Sequence, residues 1–382
     1  MPRLRFLVFA GLVLGLLHAY IGLRLFPVLG LPAPLSALGW GLLATSTLLQ
    51  PLSLVLREGM APAWRDRLSW VAMLAMGLFS SLLVFTLLRD VFLLGLSAIE
   101  GALSISPLPP AFMADTAQLV LVAALLVSVL GFFNARRLAR VVEVEVPLRN
   151  LPPALHGFRI AQISDIHVGP TIKRNYLERI VGRVNGLQAD LVAITGDLVD
   201  GRVRDLAAHT QPLAGLQSRH GSYFVTGNHE YYSNAPEWID EMRRLGLTVL
   251  MNEHVVLDHD GAPLVLAGVT DYSAGGFYES HRSDPLAALR AAPEAVSVLL
   301  AHQPRSAGAA AQAGFDLQLS GHTHGGQFWP WNHFVPLQQP FTAGLHRIQE
   351  LWVYVSRGTG YWGPPKRFGA PSEITCLTLV PA

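Results

Sequence analysis

The segment FRIAQISDIHVG, residues 158–169, decides the fold of the second half of the chain. Its apolar run, Phe158–Ile163, predicts a buried strand, and this strand leads directly into Asp165 and His167. In layered α/β folds, functional groups lie in the loops that follow the carboxyl ends of the strands. The segment therefore predicts a strand that delivers two polar side chains to a site.

The same pattern of an apolar strand followed by polar residues recurs four more times toward the C-terminus. The polar segments are GDLVD (196–200), GNHE (227–230), HQP (302–304) and GHTHGGQ (321–327). The strands predicted before them are Leu191–Thr195, Ser222–Val225, Val296–Ala301 and Leu317–Ser320. Further strands are predicted at Val141–Val146, Pro263–Val269, Trp352–Ser356 and Ile374–Leu379, and helices at Tyr176–Val184, Pro236–Leu245 and Arg305–Ala313. Strands that alternate with helices favour a layered α/β domain.

Each polar segment alone is a weak signal, because D-x-H occurs by chance and G-D or GNHE often forms a turn or a helix cap. Five such segments, each after an apolar strand and without cysteine ligands nearby, together indicate one site. Carboxylates, imidazoles and an amide oxygen form a mixed ligand set that suits Mn, Fe, Co, Ni or Zn. The set is large enough for two cations, which at about 3.5–4 Å apart act on phosphorus centres.

The order D-x-H, G-D-x-x-D, G-N-H-E, H and G-H-x-H resembles the calcineurin-like metallophosphoesterase family over residues 157–380. The GHTHGGQ segment is similar to the membrane-associated bacterial branch of that family. The resemblance implies a four-layer αββα sandwich and a site with two divalent metal ions. It implies that one ion is bound by Asp165, His167 and His324, that the other is bound by Asn228, His302 and His322, and that Asp197 bridges them.

The resemblance also implies a mechanism in which a metal-bridging hydroxide attacks phosphorus. His229 would not be a ligand; it would protonate the leaving oxygen or contact the phosphate, with Asp200 holding its tautomer. One departure is that Gly201-Arg202 follows GDLVD, whereas the protein Ser/Thr phosphatases of this superfamily have Arg-Gly there. The phosphate-binding arginine is therefore not transferred, and phosphoprotein substrates are less favoured.

Several residues near these motifs leave two interpretations open. Lys366 and Arg367 could contact phosphate, although a solvated loop is the simpler interpretation. Asp271 is either part of a loop or part of the site edge. A group of aromatic residues either packs in loops and core or forms an apolar rim for lipid or for the leaving part of a substrate: Phe328, Trp329, Trp331, Tyr361 and Trp362.

The composition divides the 382-residue chain into two halves of different character. The whole chain is 51% hydrophobic and 14% charged, with a mean hydropathy of +0.36, which excludes a disordered or an entirely soluble protein. Its single cysteine, Cys376, excludes a disulfide-stapled module. Residues 1–140 carry ten arginines and five acids, a net charge of +5, whereas residues 141–382 carry −4 and 13 of the 14 histidines. An acidic domain with two lysines argues against nucleic acid as a partner.

Four apolar runs in the first third predict transmembrane spans at about 6–23, 35–56, 68–88 and 117–133. The predicted domains are therefore a transmembrane bundle of four helices at 1–140 and a metallophosphoesterase domain at 141–382. With the N-terminus inside, eight arginines lie in inner segments and two in outer loops. This bias predicts a bacterial inner-membrane protein with a cytoplasmic catalytic domain. A fifth span at Val91–Ser106 is rejected, since it contains Glu100 and would reverse the orientation.

The leading functional hypothesis is a membrane-anchored, dinuclear metal-dependent phosphoesterase that hydrolyses phosphodiester or pyrophosphate bonds. An anchor beside the bilayer makes lipid-linked substrates, for example of the UDP-diacylglucosamine type, attractive. The alternative is a non-catalytic metal-binding sensor or scaffold module of the membrane. His229 argues against that alternative, because a purely structural metal site does not require it. A transporter with an appended phosphatase is a third hypothesis, but no acidic residue lies within a predicted span to relay ions.

Overall fold

The computed structural model describes residues 2–55, 62–104, 106 and 108–382. Residue 56, the last of the second predicted span, and Arg57, which contributes to the charge bias, lie outside this described part. The chain divides into two compact units. A helical unit comprises the residues up to Phe133 together with Gly363–Lys366, and an α/β unit comprises Asn134–Trp362 with Arg367–Ala382. The domain boundary between residues 140 and 141 stays a prediction.

The described part of the chain begins with four helices, α1 (Pro2–Leu29), α2 (Ala33–Val55), α3 (Pro62–Leu103) and α4 (Pro110–Arg136). Among the described residues, three segments are long and apolar enough to cross a membrane: Val8–Leu29, Ala63–Leu103 and Pro110–Arg136. Within the described residues α2 does not qualify, so the predicted number of four spans exceeds this count by one. Its polar residues Ser46 and Gln50 reduce its hydropathy. The Ser46 hydroxyl lies 2.9 Å from the His18 ring and 3.0 Å from the Gln50 amide nitrogen.

The third helix is much longer than the predicted span at 68–88. Its 42 residues extend over roughly 63 Å, about twice the thickness of the bilayer hydrocarbon. The helix continues through Arg89 and Asp90 because both charges have partners. Arg24 donates to both carboxylate oxygens of Asp90 at 2.7 and 3.0 Å, and Arg89 donates to the hydroxyl of Thr116 at 3.0 Å. The charged residues Arg89 and Asp90 therefore lie within α3 and do not end it.

The α/β unit contains two six-stranded sheets and several short helices in the described residues. In the first sheet, the order is β1 (Arg140–Leu148), β12 (Glu373–Pro381), β2 (Arg159–Ile163), β3 (Leu191–Thr195), β4 (Ser222–Val225) and β5 (Thr248–Val249). In the second sheet, it is β10 (Gly344–Ile348), β11 (Leu351–Val355), β9 (Leu317–Ser320), β8 (Val296–Leu300), β7 (Ala262–Gly268) and β6 (Glu253–His259). The helices are α5 (Arg174–Asn185), α6 (Val203–Thr210), α7 (Asn228–Tyr232), α8 (Ala235–Arg244), α9 (Pro285–Ala288) and α10 (Ala307–Ala313).

The alternation of side chains along the strands builds four layers. On β3, Leu191 and Ala193 belong to a buried cluster that also contains Leu264 and Val298 of the second sheet, so the two sheets pack face to face. Val192 belongs to a separate cluster with residues of α5 and α8. On the outer face of the second sheet, β8 packs with α9 and α10 in a third cluster. The predicted four-layer αββα sandwich is confirmed.

The strand pairing brings the carboxyl ends that precede the polar motifs to neighbouring positions. Strands β2, β3 and β4 are adjacent and parallel, as are β8 and β9. The loops after these five strands carry all nine side chains singled out from the sequence.

Candidate metal centre

The structure brings eight of the nine predicted site residues together, seven of them in groups of donor atoms and Asp200 through contacts with the rings of His167 and His229. Three overlapping groups of donor atoms each lie within 4.8 Å of one another: Asp165, His167 and His324; His167, Asp197 and His229; and Asp197, His302 and His322. The first group is the predicted ligand set of one ion. The third group contains His302 and His322 of the other predicted set, and Asp197 belongs to two groups. The second group shows that His229 is also within reach of a cation.

Asp197 lies between two histidine pairs. Its Oδ2 atom is 3.1 Å from His302 Nε2 and 3.9 Å from His167 Nε2. In one pair, the Nε2 atoms of His167 and His324 are 3.0 Å apart; in the other, His302 Nε2 is 3.2 Å from His322 Nδ1. Nitrogens that face each other beside a buried carboxylate form a suitable set of donors for divalent cations.

The histidine rings and carboxylates are held in place by hydrogen bonds outside the cluster of donors. His302 Nδ1 lies 2.7 Å from the carbonyl oxygen of Thr195, which leaves Nε2 directed at Asp197. The backbone N–H of His322 donates to both oxygens of Asp165 at 2.9 and 3.0 Å. The donor atoms of His302 and Asp165 are therefore positioned by the folded chain itself.

The backbone at the site is strained, which fits a functional role. Five candidate ligands have a positive φ between 51° and 69°, a region that costs a non-glycine residue about 1–3 kcal/mol: Asp165, His167, Asp197, His322 and His324. Two glycines permit the close approach of the loops. A Cβ atom at Gly227 would collide with the carboxylate of Asp197, and one at Gly321 would collide with that of Asp165.

One buried oxygen tests whether these residues fit a metal. Within the described part of the chain, Asn228 Oδ1 is buried and has no hydrogen-bond donor. An unpaired buried amide oxygen is costly, and a cation at this position would satisfy it. Together with the imidazole and carboxylate donors, this oxygen shows that the residues present fit divalent cations.

His229 and Asp200 form a pair on the more open side of the site. Asp200 Oδ1 lies 2.6 Å from His229 Nδ1 and 3.0 Å from His167 Nδ1, so one carboxylate orients both rings. Burial disfavours the charged ring, but the hydrogen bond to Asp200 and the charge of Asp197 raise the pKa of His229 to about 9. Desolvation of the Asp200 carboxylate opposes its ionisation, but its two histidine partners outweigh this effect and lower its pKa. At neutral pH the pair is thus an imidazolium and a carboxylate.

The Asp200–His229 pair predicts a pH dependence for phosphoester hydrolysis, the activity expected from the sequence. A protonated His229 persists below its pKa and is lost as the pH rises through it. Asp200→Asn removes a charged hydrogen-bond partner worth about 1.5–3 kcal/mol, and one pKa unit corresponds to about 1.4 kcal/mol. We therefore expect the alkaline limb of log kcat/KM to move down by about 1–2 pH units, measured at saturating Mn²⁺.

Asp240→Asn is the matched control for Asp200→Asn, because Asp240 is exposed on α8 and pairs with Arg243 at 3.8 Å. This control should keep the wild-type pH profile. An alkaline limb that is the same in Asp200→Asn and wild type would show that Asp200 does not set the pKa of His229.

The structure assigns a buried position to Arg367, a residue whose function the sequence motifs did not reveal. Its guanidinium is fully buried and donates to the carbonyl oxygens of His324, Arg357 and Gly360 at 2.9, 2.7 and 2.6 Å. Its Nη2 atom is 3.0 Å from His324 Nδ1. Burial and the charge of Arg367 together lower the pKa of His324, which favours loss of a proton from that ring.

The interpretation of Lys366 and Arg367 as part of a solvated loop is wrong. Lys366 is 2% exposed and belongs to the helical unit, where Nζ donates to the carbonyl oxygen of Gly77 at 2.8 Å and to the Ser81 hydroxyl. The guanidinium group of Arg367 is hydrogen-bonded to carbonyl oxygens and to His324. A proline- and glycine-rich context suggested exposure, but the many carbonyls of such a loop can also surround a buried cation.

Two further acidic residues form hydrogen bonds that hold the segments around the site. The buried Glu230 accepts hydrogen bonds from the backbone N–H groups of Asp197, Leu198 and Gly227 at 3.0, 2.8 and 2.6 Å, and so joins the loops after β3 and β4. Asp271 is buried and accepts from Gln303 Nε2 at 3.0 Å. Because Gln303 follows His302 directly, Asp271 lies at the site edge, one of its two predicted positions.

Comparison with known proteins places this geometry in a family. Residues 158–326 match the calcineurin-like phosphoesterase family. The chain is 41% identical over 270 residues to a zebrafish (Danio rerio) transmembrane protein with metallophosphoesterase domain, covering 68% of this chain and 62% of that protein. It is 43% identical over 264 residues to the protein of the same description from Bos taurus, covering 66% and 60%. The chain thus spans about 60% of the length of these two relatives.

A bacterial relative is matched over nearly its whole length. An uncharacterized metallophosphoesterase of Aquifex aeolicus is 32% identical over 245 residues, which cover 63% of this chain and 91% of that protein. The apolar helices and the transmembrane relatives identify the chain as a membrane protein. The motifs, the site and these relatives agree, and the chain belongs to the calcineurin-like metallophosphoesterase family.

Proposed function

We propose that the chain is a membrane-anchored phosphoesterase that binds two divalent cations and hydrolyses phosphodiester or pyrophosphate bonds, including those of lipid-linked substrates. The observation that supports it most is that Asp197 belongs to two of the three groups of donor atoms. The buried Asn228 Oδ1, which has no hydrogen-bond donor, adds to this support. In this proposal Asp165, His167 and His324 hold one cation, whereas Asn228, His302 and His322 hold the other. Asp197 belongs to both sites.

The cations, when bound, would supply Lewis acidity that activates water and neutralises charge on the phosphoryl oxygens. The chain's own residues supply the proton. Since His229 Nδ1 faces Asp200 at 2.6 Å, the proton on Nε2 is the one available to the leaving oxygen. As the bond between phosphorus and the leaving oxygen breaks, that oxygen takes the Nε2 proton, and His229 becomes neutral with its remaining proton toward Asp200.

A metal-dependent diester assay tests this function. Purified full-length protein with Mn²⁺ should hydrolyse bis-p-nitrophenyl phosphate, and activity should disappear with chelator and return when Mn²⁺ is restored. His229→Ala should reduce kcat by about 10²–10⁴-fold, as expected for loss of a general acid. A protein that binds metal but turns over no phosphoester, with His229→Ala indistinguishable from wild type, would instead favour the sensor or scaffold role.

The proposed orientation places the α/β unit in the cytoplasm at a bacterial inner membrane. It rests on the cluster of Arg136, Arg137 and Arg140 at the end of α4, where the chain enters the α/β unit, because arginines beside a span favour the cytoplasmic side. A reporter that is active only in the cytoplasm, fused after Ala382, should be active. Activity of an exclusively periplasmic reporter at the same position would overturn the orientation.

A further inference from the structure

Exposed aromatic rings continue outward from His229. The Tyr232 and Trp362 rings lie 5.2 and 5.8 Å from the His229 ring, both edge-to-face, and the Phe277 ring lies 5.7 Å from Tyr232. Tyr232, Trp362 and Phe277 are 64%, 54% and 46% exposed. We call these three residues the aromatic strip. Large aromatic rings in a row beside a catalytic acid are an unusual use of exposed surface.

The local structure explains why the strip meets His229. Tyr232 follows His229 by three residues on the helix α7, so both side chains lie on one helix face. Phe277 comes from the loop after β7 and also packs against the buried ring of Tyr231, at 5.5 Å. The strip is thus assembled from three separate segments of the chain.

Trp362 is fixed by Gln327 of the GHTHGGQ segment. The side-chain amide of Gln327 donates to the carbonyl oxygen of Trp362 at 2.8 Å and accepts from its backbone N–H at 2.8 Å. Gln327 is itself 7% exposed. An amide can make both hydrogen bonds at once, whereas a carboxylate can only accept. Gln327 is therefore a positioning residue that holds the main chain of Trp362 beside His229.

From this placement we propose that the aromatic strip binds the apolar part of the substrate's leaving group. The inference rests on the proposed function, because His229 protonates the leaving oxygen and whatever is attached to that oxygen lies next to the rings that flank His229. Flat, exposed rings bind apolar groups by contact area rather than by hydrogen bonds. The site therefore selects phosphoesters whose leaving group carries an alkyl or aryl chain near the ester oxygen.

A pair of substrates with equal intrinsic reactivity tests the strip. Methyl 4-methylphenyl phosphate and methyl 4-hexylphenyl phosphate release phenols of nearly equal acidity and differ only in the length of the apolar chain. With detergent-solubilised full-length protein and Mn²⁺, kcat/KM should be about tenfold or more higher for the hexyl compound, because each buried methylene contributes to binding. Trp362→Ala and Tyr232→Ala should each reduce this ratio to less than about threefold.

Three more variants separate the recognition of the apolar chain from the positioning of Trp362 and from general damage. Gln327→Ala should reduce the hexyl-to-methyl ratio as Trp362→Ala does, while Gln327→Glu, which loses one of the two hydrogen bonds, should have an intermediate ratio. Phe334→Ala, which removes a ring that is 52% exposed and packs against Trp331 at 5.8 Å, should keep the wild-type ratio. It is the matched control for loss of an exposed aromatic side chain.

The outcomes distinguish this inference from the proposed function. No turnover of either ester would defeat the proposed function itself. Turnover with equal kcat/KM for both esters, or a wild-type ratio in both Trp362→Ala and Tyr232→Ala, would overturn the role of the strip alone. A wild-type ratio in solution combined with weaker activity of these variants only on vesicle-embedded substrate would also overturn it, and would assign the strip to the bilayer surface.

Discussion

Asp197→Asn should reduce kcat/KM for bis-p-nitrophenyl phosphate by at least about 10³-fold. Asp197 is the carboxylate shared by two groups of donor atoms, with Oδ2 at 3.1 Å from His302 Nε2 and 3.9 Å from His167 Nε2. An amide has no negative charge to hold cations at both positions. Charge stabilisation at a metal site amounts to several kcal/mol, and each 1.4 kcal/mol corresponds to about a tenfold change in rate.

The Asn variant should keep the fold, so that the loss reports on chemistry. Residue 197 has φ of 51°, and Asn accepts this left-handed conformation better than most residues. Its side-chain oxygen can still accept the hydrogen bond that the backbone N–H of His229 donates to Asp197 at 2.9 Å. Circular dichroism should match wild type, and the exposed Asp240→Asn should retain full activity. An Asp197→Asn enzyme within tenfold of wild type would remove Asp197 from the centre of the site.

Arg367→Ala should lower the free energy of unfolding of the α/β unit by at least about 3 kcal/mol. The substitution leaves the carbonyl oxygens of His324, Arg357 and Gly360 buried without their donor, and each such group costs about 1–3 kcal/mol. Arg204→Ala, at an exposed position of α6, should change stability by less than about 0.5 kcal/mol. Chemical denaturation monitored by tryptophan fluorescence measures both.

The same position should control metal binding through His324. Arg367→Lys keeps a positive charge but lacks the planar fork that reaches several carbonyl groups, so the His324 ring loses its fixed orientation. Loss of a group that orients a ligand weakens metal binding by about 10–100-fold. Titration with Mn²⁺ should show this weakening in Arg367→Lys, which serves as the test if Arg367→Ala does not fold. Equal affinity and equal stability in both variants would show that Arg367 does not support the site.

The sequence predicted the central strands well because their composition is extreme. Leu191–Thr195, Ser222–Val225 and Leu317–Ser320 were predicted with the limits that the structure has, since each is a short apolar run ended by Gly, Asp or His. Strands β5, β6 and β10 were not predicted. Each of these three strands lies at the edge of its sheet. An edge strand is buried less completely than a central one, so its apolar pattern is weaker; β6, for example, has both exposed and buried residues.

The nine candidate site residues stand out in the sequence because they follow strand ends within short motifs, whereas the residues that hold them in place do not. Arg367 reaches His324 only through the folded chain, 43 residues away, and a buried arginine in a loop has no sequence pattern of its own. Glu230 stood inside the GNHE motif, but its role is to accept three backbone N–H groups. Backbone partners of this kind leave no trace in residue identity.

The helical part was predicted less accurately, since the spans were predicted from apolar runs alone. In α3, Arg89 and Asp90 continue the helix because Thr116 and Arg24 satisfy them. In α2, polar residues within the predicted span make its described part less apolar than the three candidate spans. Tertiary partners decide such cases, and a single sequence does not reveal them.

The number of cations bound per chain tests the central claim most directly. Full-length protein, purified in detergent and equilibrated with Mn²⁺, is analysed for metal content by mass spectrometry against the protein concentration. Two ions per wild-type chain, and no more than one in Asp197→Asn, are predicted. A wild-type chain that saturates at a single ion or binds none would contradict the shared site at Asp197.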